Sequence, residues 1–417
     1  MSRLNDIPNG WVETTLGEIG TLARGKSKHR PRWAPHLFGG EYPFIQTGQV
    51  KSASKYIEEY EQTYSEEGLA QSKLWDKDTL CITIAANIAE IAILKFAACF
   101  PDSILGFIPN KKKSDLDFIY YNFSMVQAEL RQKSIGSVQD NINLGTFERQ
   151  KFLLPSLPEQ KAIANILTAF DDKMENLQAQ NRTLEQTAQT IFKEWFGKYQ
   201  LGNDLPVGWR IGKLGEISKL KSGYAFKSKD FVDNSSFKAL KIKDLKGNGN
   251  VSISEVSSID EECTQIDRVQ YFRLEQGDIV LAMSGNTTGK IGVVPPHSNE
   301  IYLNQRVGKF FLNNEEQKSF LYNFLMSGNF EDKILSMGYG SAQPNISPSQ
   351  IESIDIIFPD NEKQIEYLNI SNPIYDKVLM NNSQIQSLKK TRDTLLPKLM
   401  SGALRVNEFK EKILFDD

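Results

Sequence analysis

The sequence predicts an α+β protein in which a β-rich domain followed by one long helix occurs twice in tandem. Three observations support this fold class. Short motifs recur in the same order, Gly-rich segments contain short apolar runs, and two glycine-poor segments have a helical period. We expect the two long helices to pair as an antiparallel coiled coil.

Four short motifs recur in the same order, at an offset that drifts only from about 198 to about 204 residues. The repeated segments are residues 10–11, 16–19, 136–142 and 155–160, which return as 208–209, 214–217, 340–346 and 359–364. Their shared letters are Gly-Trp, Leu-Gly-Glu-Ile, Gly-Ser-x-Gln-x-Asn-Ile, and a Pro followed five residues later by a Gln. The 417 residues therefore form two copies of about 200 residues each.

Each copy begins with a β-rich part. Runs such as residues 79–84 and 278–282 are apolar and β-branched, which favours strands. One helix is expected within each of these parts, near residues 118–133 and 320–335. The predicted domains are a β-rich domain at 1–154, a helical segment at 155–198, a β-rich domain at 199–358, and a helical segment with a C-terminal tail at 359–417.

The second part of each copy has a heptad seam, in which apolar residues alternate at steps of three and four for about four heptads. Each seam contains one polar Asn, Asn181 or Asn381, and such a residue fixes register at a cost in stability. The predicted helix-pairing residues are Phe170, Met174, Leu177, Leu184, Ile191, Trp195, Ile374, Val378, Ile385, Leu388, Leu395 and Leu399. Each helix would be about 57 Å long.

Two details of the helical segments leave alternatives open. Each helix could instead pack only on its own β-rich domain, as lone amphipathic helices often do. In the second segment, Pro373 is expected to start or kink a helix.

Charge order points to DNA. The net charge is only −3, yet residues 24–55 carry seven cations and one acid, and residues 210–246 carry ten cations and four acids. Lys and Arg bind phosphates, while Asn, Gln, Arg and aromatic side chains can read base edges. The predicted DNA-binding residues are Arg24, Lys26, Lys28, Arg30, Arg32, Gln139, Asn141, Lys221, Tyr224, Lys227, Lys229, Gln343 and Asn345. For the Gln and Asn loops, a turn capped by the Asn is an equally good interpretation.

No catalytic or metal-binding residues are predicted. Residues 285–291 resemble a phosphate-binding loop but are one residue short and have Ile in place of the magnesium-binding Ser or Thr, which favours a polar turn. The three histidines lack metal-ligand spacing. No apolar run is long enough to span a membrane, and three scattered cysteines indicate a reducing cytoplasm.

The repeated motifs resemble the specificity subunit of type I restriction-modification systems. The resemblance rests on the Gly-Trp and Leu-Gly-Glu-Ile pairs, the Gly-Ser-x-Gln-x-Asn-Ile loops, residues 154–160 before the first long helix, and residues 395–402 at the end of the second. It covers essentially the whole chain.

The resemblance implies a noncatalytic protein with two target recognition domains, each reading one half of a split, asymmetric sequence in double-stranded DNA. The helices would set the spacing of the halves and dock two methyltransferase subunits, which restriction and motor subunits then join. S-adenosylmethionine, ATP and magnesium would be used by those partners, and none would be bound by this chain. The expected location is the cytoplasm of a bacterial or archaeal cell.

Two other classes of protein stay open at the level of sequence. One is a DNA methyltransferase or endonuclease with its own active site. The other is a coiled-coil scaffold with no role at DNA.

Overall fold

The computed structural model describes residues 7–84, 90–134, 145, 151–199, 204–253, 256–337 and 346–406. The chain divides into two compact units. Unit 1 consists of residues 1–172 and 389–417, and unit 2 consists of residues 173–388. Each unit therefore contains one β-rich domain together with part of each long helical segment. In the described part of the chain, no helix is both long and apolar enough to cross a membrane.

The first copy contains eleven described strands. They are β1 (Val12–Thr15), β2 (Gly20–Arg24), β3 (Phe38–Phe44), β4 (Tyr56–Ile57), β5 (Gln62–Tyr64), β6 (Leu74–Trp75), β7 (Leu80–Thr83), β8 (Ile91–Leu94), β9 (Ala98–Cys99), β10 (Ile104–Pro109) and β11 (Lys151–Leu154). Its helices are α1 (Leu16–Ile19), α2 (Thr47–Ser52), α3 (Glu66–Ala70), α4 (Leu116–Ser134) and the long α5 (Leu157–Phe192), which a π-turn extends over Lys193–Gly197.

The second copy continues with twelve described strands. They are β12 (Arg210–Lys213), β13 (Ser218–Ser222), β14 (Phe237–Leu240), β15 (Leu245–Gly247), β16 (Asn250–Val251), β17 (Ser257–Ser258), β18 (Arg273–Leu274), β19 (Ile279–Ala282), β20 (Ile291–Val293), β21 (Glu300–Leu303), β22 (Val307–Leu312) and β23 (Asp355–Phe358). Its helices are α6 (Asp267–Gln270), α7 (Lys318–Leu325), α8 (Gly328–Met337), α9 (Pro348–Glu352) and the long α10 (Asn361–Met400).

The two copies share their sheet layout. In unit 1 the main sheet has the order β2-β10-β7-β8-β4, and a second sheet has the order β5-β3-β9-β6. Unit 2 has a main sheet of the order β13-β22-β19-β20, with one described strand fewer, and a second sheet of the order β17-β14-β21-β18. In each copy the first strand pairs antiparallel with the last, β1 with β11 and β12 with β23. The central strands β7 and β19 are buried along their whole length, which explains their largely apolar sequences.

The repeated Leu-Gly-Glu-Ile motif has a structural role. Glu18 accepts the backbone N–H of Thr15 at 2.9 Å, and Glu216 accepts that of Lys213 at 2.7 Å, so each Glu caps the turn at which its short helix begins. Leu and Ile of the motif are buried in both copies. The preceding Gly-Trp motif also has a structural role, because Gly10 and Gly208 adopt φ values of 81° and 83° that favour glycine.

The long helices pair antiparallel within each unit. In unit 2, Asn381 donates to Asn181 at 2.8 Å and Asn181 donates to Asn382 at 2.8 Å, while the ring of Phe192 lies 6.1 Å from that of Tyr367. Residues later in α5 therefore contact residues earlier in α10, as in an antiparallel pair. The two seam asparagines hydrogen-bond each other, which matches the role expected of polar seam residues.

The same direction holds in unit 1. Leu167 of α5 shares a core with Leu395 and Leu399 of α10, and Asp171 contacts Arg392. Of the predicted helix-pairing residues, the buried ones are Met174, Leu177, Val378 and Leu399, and the half-buried ones are Phe170, Leu184, Ile191, Trp195, Ile374, Ile385, Leu388 and Leu395. The predicted fold class, an α+β tandem duplication with an antiparallel helix pair, is confirmed.

One local prediction was wrong, and another was wrong in one of its two alternatives. The helix expected at residues 320–335 is divided into α7 and α8, because Met326 and Ser327 interrupt it. A kink at Pro373 stays a prediction, but the alternative that Pro373 starts a helix is wrong, since α10 begins twelve residues earlier at Asn361 and runs through it. Helix packing on both sides of the proline therefore outweighs its weak helix propensity.

Candidate nucleic-acid interface

In unit 1 an exposed cationic segment, residues 24–32, follows β2. Its backbone is fixed at the start, because Gly25 donates to the Ile104 carbonyl at 2.9 Å and Lys26 donates to the Phe100 carbonyl at 3.0 Å. A methyl group at Gly25 would collide with the carbonyl oxygens of Phe100 and Pro101, so glycine is required for this close approach. The framework thus holds the backbone while the side chains extend outward.

The five predicted cations of this segment all have exposed side chains. Arg32 pairs with Asp102 at 2.9 Å, and Arg30 donates to the backbone carbonyls of Ser27 and His29 at 2.7 and 2.8 Å. The other three, Arg24, Lys26 and Lys28, form no ion pair with any residue that the structure describes. An exposed, uncompensated cation is available to a phosphate.

Unit 2 presents an equivalent segment, residues 221–229, after β13. Gly223 donates to the Val307 carbonyl at 3.1 Å and Tyr224 donates to the Leu303 carbonyl at 2.8 Å, as Gly25 and Lys26 do in unit 1. A methyl group at Gly223 would likewise collide with a carbonyl oxygen, that of Leu303. Both copies therefore use a crowded glycine to fix the backbone from which the cations project.

The predicted residues of this second segment differ in exposure. Lys221, Lys227 and Lys229 are exposed, and the Lys221 ammonium lies 5.0 Å from the ring centre of Tyr271. Tyr224 is half-buried, with its ring 5.0 Å from that of Phe226. Tyr224 therefore packs in the core of unit 2 as well as bordering the segment.

One aromatic side chain of unit 1 is well placed for stacking. Trp33 follows the cationic segment, is 58% exposed, and lies parallel to Phe38 at a centroid distance of 5.8 Å. A supported, exposed ring beside cations suits stacking on a sugar or a base.

Not every cation in the basic blocks is exposed. Lys55 is buried and pairs with Asp117 at 2.9 Å, and Lys238 donates to the Ser258 hydroxyl at 2.9 Å. Lys241 lies over the Phe231 ring at 3.5 Å, and burial lowers the pKa of its ammonium. Counting charges along the chain therefore overstates the positive charge that the two units expose.

Four predicted residues, Gln139, Asn141, Gln343 and Asn345, lie outside the described residues. Sequence reasoning missed two exposed polar residues of unit 2, Gln305 and Arg306 in the turn between β21 and β22. The backbone N–H of Gln305 donates to the Tyr224 carbonyl at 2.9 Å, so this turn borders the cationic segment. No sequence signal marks it, because the contact depends on strand pairing.

The candidate phosphate-binding loop is a 3-10 turn, Gly285–Thr287, between the adjacent strands β19 and β20. This is the polar turn that its sequence indicates. Among the described residues, no group of three or more His, Cys, Asp or Glu side chains is arranged to hold a metal ion.

Comparison with known proteins identifies the family. The model of the type I restriction modification DNA specificity domain matches the chain twice, at residues 8–186 and 206–390. The chain therefore belongs to the family of type I restriction-modification specificity proteins. The two matches coincide with the two copies found in the sequence.

Two whole-length relatives come from Methanocaldococcus jannaschii. The chain is 27% identical to the type I restriction enzyme MjaIX specificity subunit, covering 97% of this chain and 96% of the relative. It is 26% identical to the MjaVIII specificity subunit, covering 96% and 94%. Among solved structures, the type I restriction-modification S subunit from M. genitalium has a TM-score of 0.57 at 18% identity, covering 96% and 98%, which shows a shared fold.

Proposed function

We propose that this chain is the DNA-recognition subunit of a type I restriction-modification complex, and that each unit reads one half of a split target in double-stranded DNA. One structural observation carries the proposal: both copies fix an exposed cationic segment on the same glycine-anchored backbone. The same backbone arrangement carrying different side chains is suited to reading two different half-sites. Family membership supports the same role.

The helix pair supports a second part of the proposal. An antiparallel helix pair, in which Asn381 donates a hydrogen bond to Asn181, suits a spacer between half-sites and a docking surface for two methyltransferase subunits. Restriction and motor subunits would join through that assembly. Adenine methylation and ATP-dependent cleavage, with S-adenosylmethionine, ATP and magnesium, would then belong to the partners in the cytoplasm.

Charge reversal tests the DNA role directly. We expect Arg24→Glu/Lys26→Glu/Lys28→Glu, in a complex with the methyltransferase subunits, to weaken binding to target DNA at least 100-fold in a gel-shift assay. The matched control is Lys77→Glu/Lys111→Glu/Lys112→Glu, which reverses three exposed cations elsewhere in unit 1. Equal losses for the two variants would show that general charge, and not this segment, governs binding.

The two other classes of function, a coiled-coil scaffold and a self-sufficient enzyme, predict different results from these experiments. A coiled-coil scaffold without a DNA role would show no gel shift with or without partners, and the charge reversal would change nothing. A self-sufficient methyltransferase would transfer a methyl group from S-adenosylmethionine to DNA as the purified single chain. We expect no transfer by the single chain and transfer by the assembled complex.

A further inference from the structure

The two copies differ at one equivalent backbone position beside the helix pair. In unit 1 the carbonyl of Lys55 accepts the N–H of Ile93 on β8 at 2.9 Å. In unit 2 the carbonyl of Gly249 accepts the N–H of Val293 on β20 at 2.9 Å. Strands β8 and β20 pair in the same register with the central strands β7 and β19, so Gly249 stands where Lys55 stands in unit 1.

In unit 1 the Lys55 side chain fills the space between the β-rich domain and the helices. Its ammonium lies 2.9 Å from the Asp117 carboxylate and 2.8 Å from the Thr168 hydroxyl. The ring centres of Tyr56, Tyr120 and Tyr121 lie within 5.6 Å of the same ammonium. A buried cation is thus compensated by one carboxylate and by aromatic faces.

Unit 1 places a second cation nearby, since Arg392 of α10 pairs with Asp171 of α5. The two long helices repeat at an offset of about 204 residues. By this offset Ala188 of unit 2 corresponds to Arg392 of unit 1, and Tyr375 of unit 2 corresponds to Asp171 of unit 1. Both cations of unit 1 are therefore replaced in unit 2 by residues with no long side chain, Gly249 and Ala188.

In unit 2 both of these residues line a cavity of about 340 Å³. Its lining includes Gly249, Ala188, Tyr322, Tyr375 and Glu185. A cavity of about 150 Å³ is enough to hold benzene, so this one has room for a small organic molecule. Tyr322 corresponds to Tyr120 of unit 1, and the two tyrosine rings of the cavity lie 5.4 Å apart.

Glu185 gives the cavity its chemistry. Its side chain is half-buried, burial raises the pKa of its carboxyl, and no Lys or Arg of the described residues lies within ion-pairing distance. Arg182 also lines the cavity, with an exposed side chain. An acceptor carboxylate beside aromatic faces, with no ion pair to the exposed Arg182 among the described contacts, is complementary to a positively charged ligand.

We propose that this cavity binds a small primary alkylammonium ion. The ammonium pairs with the Glu185 carboxylate and the alkyl chain packs against the tyrosine rings. The proposal does not depend on DNA recognition, because it concerns unit 2 alone.

Isothermal titration of the full chain with 1-butylammonium chloride tests this, with 1-butanol as the neutral probe of equal shape. We expect saturable binding to one site for the ammonium and at least tenfold weaker binding for the alcohol. Glu185→Gln should lower the affinity for the ammonium at least tenfold, whereas Glu175→Gln, an exposed Glu on the same helix, should leave it unchanged.

A second variant keeps the test independent of any folding defect in the first. Ala188→Arg places a long side chain in the cavity, so it should abolish ammonium binding, and a single cooperative melting transition checks that the variant is folded. The proposal is overturned if butylammonium gives no saturable heat, if butanol binds equally well, or if Glu185→Gln binds the ammonium as the parent chain does.

Discussion

Arg392 on α10 donates to the Asp171 carboxylate on α5 at 2.5 Å, and both side chains are mostly buried within unit 1. The same carboxylate accepts the Tyr121 hydroxyl of α4 at 2.5 Å. The pair therefore joins the two long helices to each other and to the β-rich domain of unit 1.

Removing the cation of this pair should destabilise unit 1. We expect Arg392→Met to lower the free energy of unfolding by about 1–3 kcal/mol, because Asp171 would be left buried without a cation. Urea denaturation measures the change. Lys390→Met, at an exposed position on the same helix, serves as the control and should change stability little. Equal effects of the two variants would contradict a structural role for the pair.

Glu185 should make the stability of unit 2 depend on pH. Burial raises the pKa of its carboxyl in the folded chain, so its contribution is fully present below the unfolded pKa and is lost as pH rises through the folded pKa. Tyr322 and Tyr375 stay neutral over this range, because burial raises the pKa of both hydroxyls.

We therefore expect Glu185→Gln to raise the melting temperature at pH 7 in the absence of amine, and to lose this advantage near pH 4. Differential scanning calorimetry across that range gives the answer. A variant that is less stable than the parent at pH 7 would show that the carboxylate has a partner in the folded chain.

The crowded glycine of unit 1 should control DNA binding through the backbone. Gly25→Ala forces the chain away from the Phe100 and Pro101 carbonyls and displaces the cations that follow. We expect at least a tenfold loss of DNA affinity in the assembled complex, measured by gel shift. Gly48→Ala has nothing within 4 Å of the added methyl group and should bind normally. Normal binding by both variants would show that the position of the cationic segment does not affect DNA recognition.

Sequence reasoning found the features that recur along the chain, either at the offset between the two copies or at helical steps. The duplication is visible because motifs such as Leu-Gly-Glu-Ile cap the same turn in both copies, and the helix pair is visible because seam residues recur at fixed steps. Both signals come from short stretches of sequence, which can be recognised without knowledge of the tertiary structure.

Contacts that depend on distant partners could not be found in this way. Lys55 looks like its exposed neighbours in sequence, yet its partners Asp117 and Thr168 are 62 and 113 residues away along the chain. Gly25 is required only because β10 and the strand before it bring two carbonyls close. Likewise, residues 389–406 belong to unit 1 because the helices run antiparallel, which places the end of α10 beside the first β-rich domain.

The helix pair should act as a spacer. Removing one heptad from residues 159–196 and one from 361–399 keeps the seam in phase and leaves both β-rich domains unchanged. We expect the complex to methylate a target with the same two half-sites at an altered spacing. Methylome sequencing measures both properties, and altered half-sites at the old spacing would contradict the spacer.

The central claim is that this chain selects the DNA sequence on which its partners act. Adenine-methylome sequencing of cells with the gene present and with it deleted tests this most directly. The account predicts one split, asymmetric motif with two constant halves, methylated only when the gene is present. Identical adenine methylomes in cells that express the partner subunits would contradict it.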